Sequence, residues 1–352
     1  MQQITRRAFG AFAGAGFAAA TSSRALAAAG VSPAFDPTPY VNPELRPYLA
    51  AVRQYTGGRR LTIETLAIER KANFSAPIKP APAWSERTIP GPTGAPDVRV
   101  YVINPGAPGA APKPAILQIH GGGFVLGSAR QQIGSNQDLA STLGCVIVSV
   151  EYRLAPETRF PGPLEDNYAA LKWLHRNADE LGVDRARIAV MGESAGGGHA
   201  AMLAIAARDR GEVPLVYQAL IYPMLDDRTG STRKKPPYMG VVVWNEQRNR
   251  FGWSSLLGVP AGSAKVPYGS VPARVENLKG LPPAFIGVGS IDLFVDEDVD
   301  YARRLIDAGV PVRLNVVPGA FHGFDAFAGA AVAKAFRADL IAALRDALKA
   351  KA

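Results

Sequence analysis

From about Trp84 onward, short β-rich runs alternate with helical patterns, and no other feature restricts the fold as much. The runs are VRVYVI (98–103), PAILQIH (114–120), CVIVSV (145–150), RIAVMG (187–192), LVYQALIY (215–222), PAFIGVG (283–289) and VRLNVV (312–317). Between or after them lie LEDNYAALKWLHRNADELG, DEDVDYARRLIDAG and GAAVAKAFRADLIAALRDALKA. This alternation predicts an α/β fold, a mostly parallel central sheet flanked by helices. Runs that are apolar almost without interruption fit strands buried on both faces. Gly182 and Gly309 stand where C-caps are expected. In the second helical stretch Val299, Ala302, Leu305 and Ile306 are expected on one face, with Asp296, Glu297 and Asp298 in the first turn.

Two segments break the pattern. Residues 30–83 are rich in proline, and 224–280 are polar, proline-punctuated and include WNEQRNRFGWSSLLG. A long insertion in an open α/β sheet usually lies over the carboxyl ends of the strands, where ligands bind. The expected organisation is a leader (1–29), an N-terminal cap segment (30–83), the first part of the core (84–223), a cap insertion (224–280) and the rest of the core (281–352).

The leader begins with Arg6-Arg7, runs through a weakly apolar Ala/Gly/Phe stretch too short to span a bilayer, and ends on small residues. That is the pattern of a cleavable signal peptide, cut after Ala27 or Ala29. The arginine pair followed by Phe9 resembles the twin-arginine (Tat) export signal, so the precursor is expected to meet that machinery and the mature protein to be periplasmic or secreted. No cysteine follows the apolar run, so a lipid anchor there is excluded and no stable membrane anchor is expected.

Of 352 residues 47% are apolar and 20% charged, ordinary usage for a globular protein. The net charge of +9 includes three leader arginines, and the remaining basic residues are scattered without interleaved aromatics. Nucleic-acid binding is not expected. Cys145 is the only cysteine, so no intrachain disulfide can form, and its apolar run predicts a buried thiol.

Chemistry enters at Gly192-Glu193-Ser194-Ala195-Gly196. This is G-x-S-x-G between a strand and an Ala-rich helix, the setting of a nucleophile elbow. The turn lifts Ser194 clear of the sheet, and small residues two positions either side avoid clashes with the adjoining elements. Earlier, His120-Gly121-Gly122-Gly123 ends a strand, and a glycine run there leaves backbone N–H groups free to meet a developing oxyanion. Gly122 and Gly123 with Ala195 are the expected donors, and Gly121 makes the turn.

A serine needs a base, and only four histidines exist. His120 belongs to the glycine turn. His175 lies on a helix, and His199 points along the helix that leaves the elbow. His322, on a loop directly after VRLNVV, is the expected base. Asp292, just past PAFIGVG, is the expected orienting carboxylate, and Asp296 is better suited to capping a helix. The order Ser, Asp, His is that of α/β-hydrolases.

These residues resemble the hormone-sensitive-lipase-like (bacterial family IV) carboxylesterases of the α/β-hydrolase superfamily. The resemblance covers roughly 85 to 350 and rests on HGGG at 120–123, VEYRLAPE at 150–157, GESAGGG at 192–198, DLFVDE at 292–297 and HGF at 322–324. Glu193 stands where many members carry Asp. The resemblance implies an α/β-hydrolase fold with a cap over the active site, no metal or organic cofactor, and a small-molecule ester substrate with a short to medium acyl chain. The expected mechanism is two-step acyl transfer through an acyl-enzyme. An amidase or deacetylase on the same residues, or a non-catalytic ligand-binding protein of this fold, are the alternatives. Acyl and alcohol preference and oligomeric state are not readable here.

Overall fold

Valine and isoleucine crowd the central strands because their branched side chains pack well on a pleated surface covered from both sides. In β3 (Lys113–Ile119) the residues from Ala115 to Ile119 are all fully buried. The computed structural model describes residues 35–56, 59–71, 75–106 and 111–349. The leader, with Arg6-Arg7 and both cleavage positions, lies outside them. Pro37–Ala352 form one compact unit that carries every element below.

The sheet has eight strands: β1 (Trp84–Ile89), β2 (Val98–Ile103), β3, β4 (Val146–Glu151), β5 (Val183–Glu193), β6 (Tyr217–Ile221), β7 (Ala284–Gly289) and β8 (Val312–Val317). Their order is β1-β2-β4-β3-β5-β6-β7-β8, and only β2 runs against its neighbours. The sequence pattern accounts for every strand but β1, whose WSERTI buries only Ile89. An edge strand with so little apolar content leaves no period to read.

Helices cover both faces. α1 (Leu49–Thr56) and α2 (Ile63–Glu69) precede the sheet; α3 (Ile133–Leu143), α4 (Gly162–Arg176), α5 (Ala178–Leu181) and α6 (Ala195–Arg210) join strands within it. α7 (Glu246–Leu257) lies in the insertion, and α8 (Val295–Asp307) and α9 (Ala331–Lys349) complete the chain. Residues of α4, α6, α7 and α8 share one apolar cluster with Leu117, Val148 and Val190 of the sheet. Residues of α3, α9 and the segment around Leu45 share the other, with Ile116, Ile147 and Ala189. Adjacent sheet residues thus point to opposite layers, as the two-residue period demands.

The expected helix of 164–182 breaks into α4 and α5 at Asn177 and ends at Gly182, whose φ of +64° makes it a left-handed cap. In α8 the buried stripe runs through Val295, Asp298, Tyr301, Ala302 and Leu305. Val299 and Ile306, expected on that face, are 39% and 57% exposed. The stripe is centred on Asp298, and those two lie at its margin.

Residues 59–71 bind to the insertion and to the loop after β3. Gln247 exchanges two hydrogen bonds with the Leu61 backbone (3.1 and 2.7 Å), and Arg248 pairs with Glu69 at 3.0 Å. Arg70 donates to the carbonyls of Val125 (2.8 Å) and Ala155 (3.0 Å) while pairing with Glu157. At the opposite side of the fold, the end of α9 (Ala343, Asp346, Ala347) lines a shallow apolar hollow with Tyr217, Pro283 and Arg313, beside the starts of β6, β7 and β8. Among the described residues no helix is long and apolar enough to cross a membrane.

Candidate active site

Strand register brings the site together. Ile119 of β3 pairs with Gly192 of β5, and Glu193 pairs with Ile221 of β6, so the turns that follow these strands emerge side by side. Asp292 and His322 leave the same edge after β7 and β8, which pair in register from Ala284↔Val312 to Gly289↔Val317.

At the end of β5 the chain turns sharply. Ser194 has φ 57° and ψ −121°, a conformation costly for a residue with a side chain, held by Ser194 N–H donating to Ile221 O at 2.9 Å. Small neighbours are obligatory. A Cβ at Gly192 would stand 2.2 Å from Gly196 O, and one at Gly196 would stand 2.1 Å from Ile119 O. Ser194 sits at the start of α6, where the helix dipole presents its positive end.

His322 Nε2 lies 2.9 Å from Ser194 Oγ, and His322 Nδ1 lies 2.8 Å from Asp292 Oδ2. With the Asp292 carboxylate accepting, Nδ1–H donates to it and Nε2 is left to accept the serine proton. Asp292 is fully buried, and its other oxygen accepts from the Phe294 N–H at 3.0 Å. Tyr222 and Phe294 flank the imidazole edge-on, with ring centroids 4.7 and 5.2 Å away. The Tyr222 hydroxyl donates to Asp325 at 2.8 Å, on the loop that carries His322. Sequence reasoning missed both rings; Tyr222, directly after β6, had a position at a strand's carboxyl end as its signal.

The glycine turn meets the elbow closely, since a Cβ at Gly121 would stand 2.8 Å from Glu193 O. Gly122 (φ +121°) and Gly123 (φ +60°) have backbone conformations that favour glycine, and among the described residues neither N–H donates to another backbone group. Ala195, first residue of α6, has an N–H with no partner inside its helix. The arrangement offers donors beside a hydroxyl whose proton has an acceptor, as attack on a carbonyl requires.

The other histidines lie elsewhere. His120 stacks on Tyr152 with 4.2 Å between ring centroids, and its Nδ1 bonds the Gly121 carbonyl at 2.8 Å, so it orders the glycine turn. Burial pushes its imidazole down to about 4. His199 is fully buried edge-on between Phe124 and Tyr152, and burial pushes it down to about 3. His175 sits half-buried on α4. Asp296 makes no cap: its carboxylate is 63% exposed and pairs with Lys235 at 2.5 Å, because Phe294 occupies the N-cap.

Behind the elbow, Glu193 accepts from Gln118 at 3.1 Å. Burial and the nearby Asp325 carboxylate push its carboxyl up to about 7. Among the described residues no cluster of three or more His, Cys, Asp or Glu is placed to hold a metal ion.

Known proteins resemble this chain over most of its length. A family model described as the α/β-hydrolase fold matches residues 116–326. The esterase LipI of Mycobacterium tuberculosis (strain ATCC 25618 / H37Rv) is 37% identical over 258 residues, covering 72% of this chain and 78% of that protein. The carboxylesterase NlhH of the same species and strain is 38% identical over 218 residues, covering 61% and 67%. The solved structure of a bacterial heroin esterase superposes with a TM-score of 0.79 at 36% identity, covering 90% of this chain and all of that one.

Proposed function

Starting from the fact that this chain belongs to the α/β-hydrolase family, in its hormone-sensitive-lipase-like branch, and is a carboxylesterase, we propose that Ser194, His322 and Asp292 carry out its chemistry. Ser194 Oγ attacks the ester carbonyl while His322 Nε2 takes its proton. The carbonyl oxygen, now an anion, is received by the N–H groups of Gly122, Gly123 and Ala195, each worth roughly 3 kcal/mol to the transition state. His322 returns the proton to the leaving alcohol, and Asp292 stabilises the imidazolium between the two transfers. Water, deprotonated by the same imidazole, then attacks the acyl-enzyme and releases the acid. Esters of short to medium acyl chains are the proposed substrates. Export of the precursor by the twin-arginine route belongs to the same proposal, supported by Arg6-Arg7 and the apolar run behind them.

The observation that carries this reading is the pair of hydrogen bonds, 2.9 and 2.8 Å long, that joins a strained serine to a buried carboxylate through one imidazole. A fluorophosphonate probe should label the folded wild type stoichiometrically at Ser194. Ser194→Ala should fold, escape labelling and lose turnover of p-nitrophenyl butyrate. Retained turnover in that variant refutes the assignment, and preference for the matching anilide over the ester favours an amidase.

A further inference from the structure

Beside the proposed oxyanion turn stands one aromatic side chain that the mechanism does not use. A Cβ at Gly123 would lie 2.0 Å from Trp244 Cη2 and 2.4 Å from Cζ2, so the edge of the indole rests directly on the Gly123 backbone. Trp244 comes from the insertion and is 5% exposed. It is also held in place. Its Nε1–H donates to Asn249 Oδ1 at 3.2 Å, and Asn249, fully buried, donates in turn to Thr229 O at 2.8 Å. The residue before it, Val243, has φ +70°, a conformation that a β-branched side chain adopts only when the surroundings enforce it. α7 then packs on the same turn, and a Cβ at Gly252 would stand 2.5 Å from Gly123 O.

We propose that Trp244 is a specificity-determining residue that closes the acyl side of the site and confines the enzyme to short acyl chains. The inference rests on the reading of Ser194 and His322 given above. His322 must protonate the departing oxygen, so the alcohol half of the ester lies on the imidazole side, where the flanking rings are Tyr222 and Phe294. With the carbonyl oxygen held at Gly122, Gly123 and Ala195, the acyl group extends away from His322. Trp244, seated on Gly123, is the wall it meets there. The Nε1–H bond to Asn249 and the positive φ of Val243 before it hold the indole in this position.

The test measures kcat/KM for p-nitrophenyl acetate, butyrate, hexanoate and octanoate, and for ethyl, butyl and hexyl acetates, with wild type, Trp244→Phe and Trp244→Ala. Fluorophosphonate titration counts only competent sites. Trp244→Ala should raise the octanoate-to-acetate ratio by about tenfold or more, with Trp244→Phe between it and wild type and the alcohol series unmoved. Should the alanine variant not fold, the phenylalanine variant must still raise the acyl ratio. An acyl profile parallel to wild type, or a shift confined to the alcohol series, overturns the assignment. A wild type inactive on every ester would instead strike the mechanism beneath it.

Discussion

Gly196→Ala is the sharpest test of how the elbow and the glycine turn depend on each other. The new Cβ would stand 2.1 Å from Ile119 O and 2.6 Å from His120 O, against the 3.0 Å below which such contacts are essentially never seen. Both obstacles are backbone and cannot rotate away. Either the start of α6 or the end of β3 must therefore retreat by about 1 Å, and either movement separates Ser194 from the N–H groups of Gly122 and Gly123. Overpacking costs about 1–3 kcal/mol, offset by the ~1 kcal/mol that alanine gains over glycine inside a helix. Net stability should fall by no more than about 2 kcal/mol. Turnover should fall far more, on the order of 100-fold for a misplacement of this size. Gly211→Ala is the control: it ends the same helix at φ +67° with open space around it, so it should lose about 1 kcal/mol and keep wild-type kcat. Melting temperature and kcat per titrated site would be measured together. A Gly196→Ala enzyme with wild-type kcat would refute the idea that the close approach of β3 and α6 sets the geometry of attack.

Other consequences are independent of that one. Glu193 holds its proton more tightly in the folded chain than in the unfolded one, because burial and Asp325 raise it from 4.5 to about 7. The stability it contributes is therefore present below pH 4.5 and lost as pH rises through 7. Arg337, 3.7 Å from Asp325, and Gln118 temper the effect without reversing it. Glu193→Gln should gain on wild type between pH 5 and 8, and melting curves that stay parallel across that range contradict the assignment. Burial pushes the Cys145 thiol up to about 12, so an aromatic disulfide reagent should react with it only after denaturation; rapid reaction in native buffer would refute its burial just before β4.

How much of this could be read in advance followed from which interactions leave a local mark. Strands buried on both faces announce themselves as VIVSV or AILQI, while the polar edge strand β1 forms only because β2 offers it hydrogen-bonding partners. Ser194 and the glycine turn were legible because a tight turn excludes most residue types and so writes itself into adjacent positions. His322 and Asp292 followed from counting histidines and strand ends. Phe294 and Trp244 were not legible, and Tyr222 only through its place after β6, since what matters about each is a neighbour far along the chain: His322 for Tyr222 and Phe294, Gly123 for Trp244. The same holds for Val299 and Ile306, whose exposure depends on which face of α8 the fold covers.

The final helix finishes against the starts of β6, β7 and β8, while the reacting groups stand beyond the opposite ends of β5, β7 and β8. A surface linker attached after residue 349 would consequently leave from the back of the molecule. Grafted to a bead or an electrode by that tail, the enzyme would face outward, its entrance turned to the passing liquid and its anchorage on the side that does no chemistry.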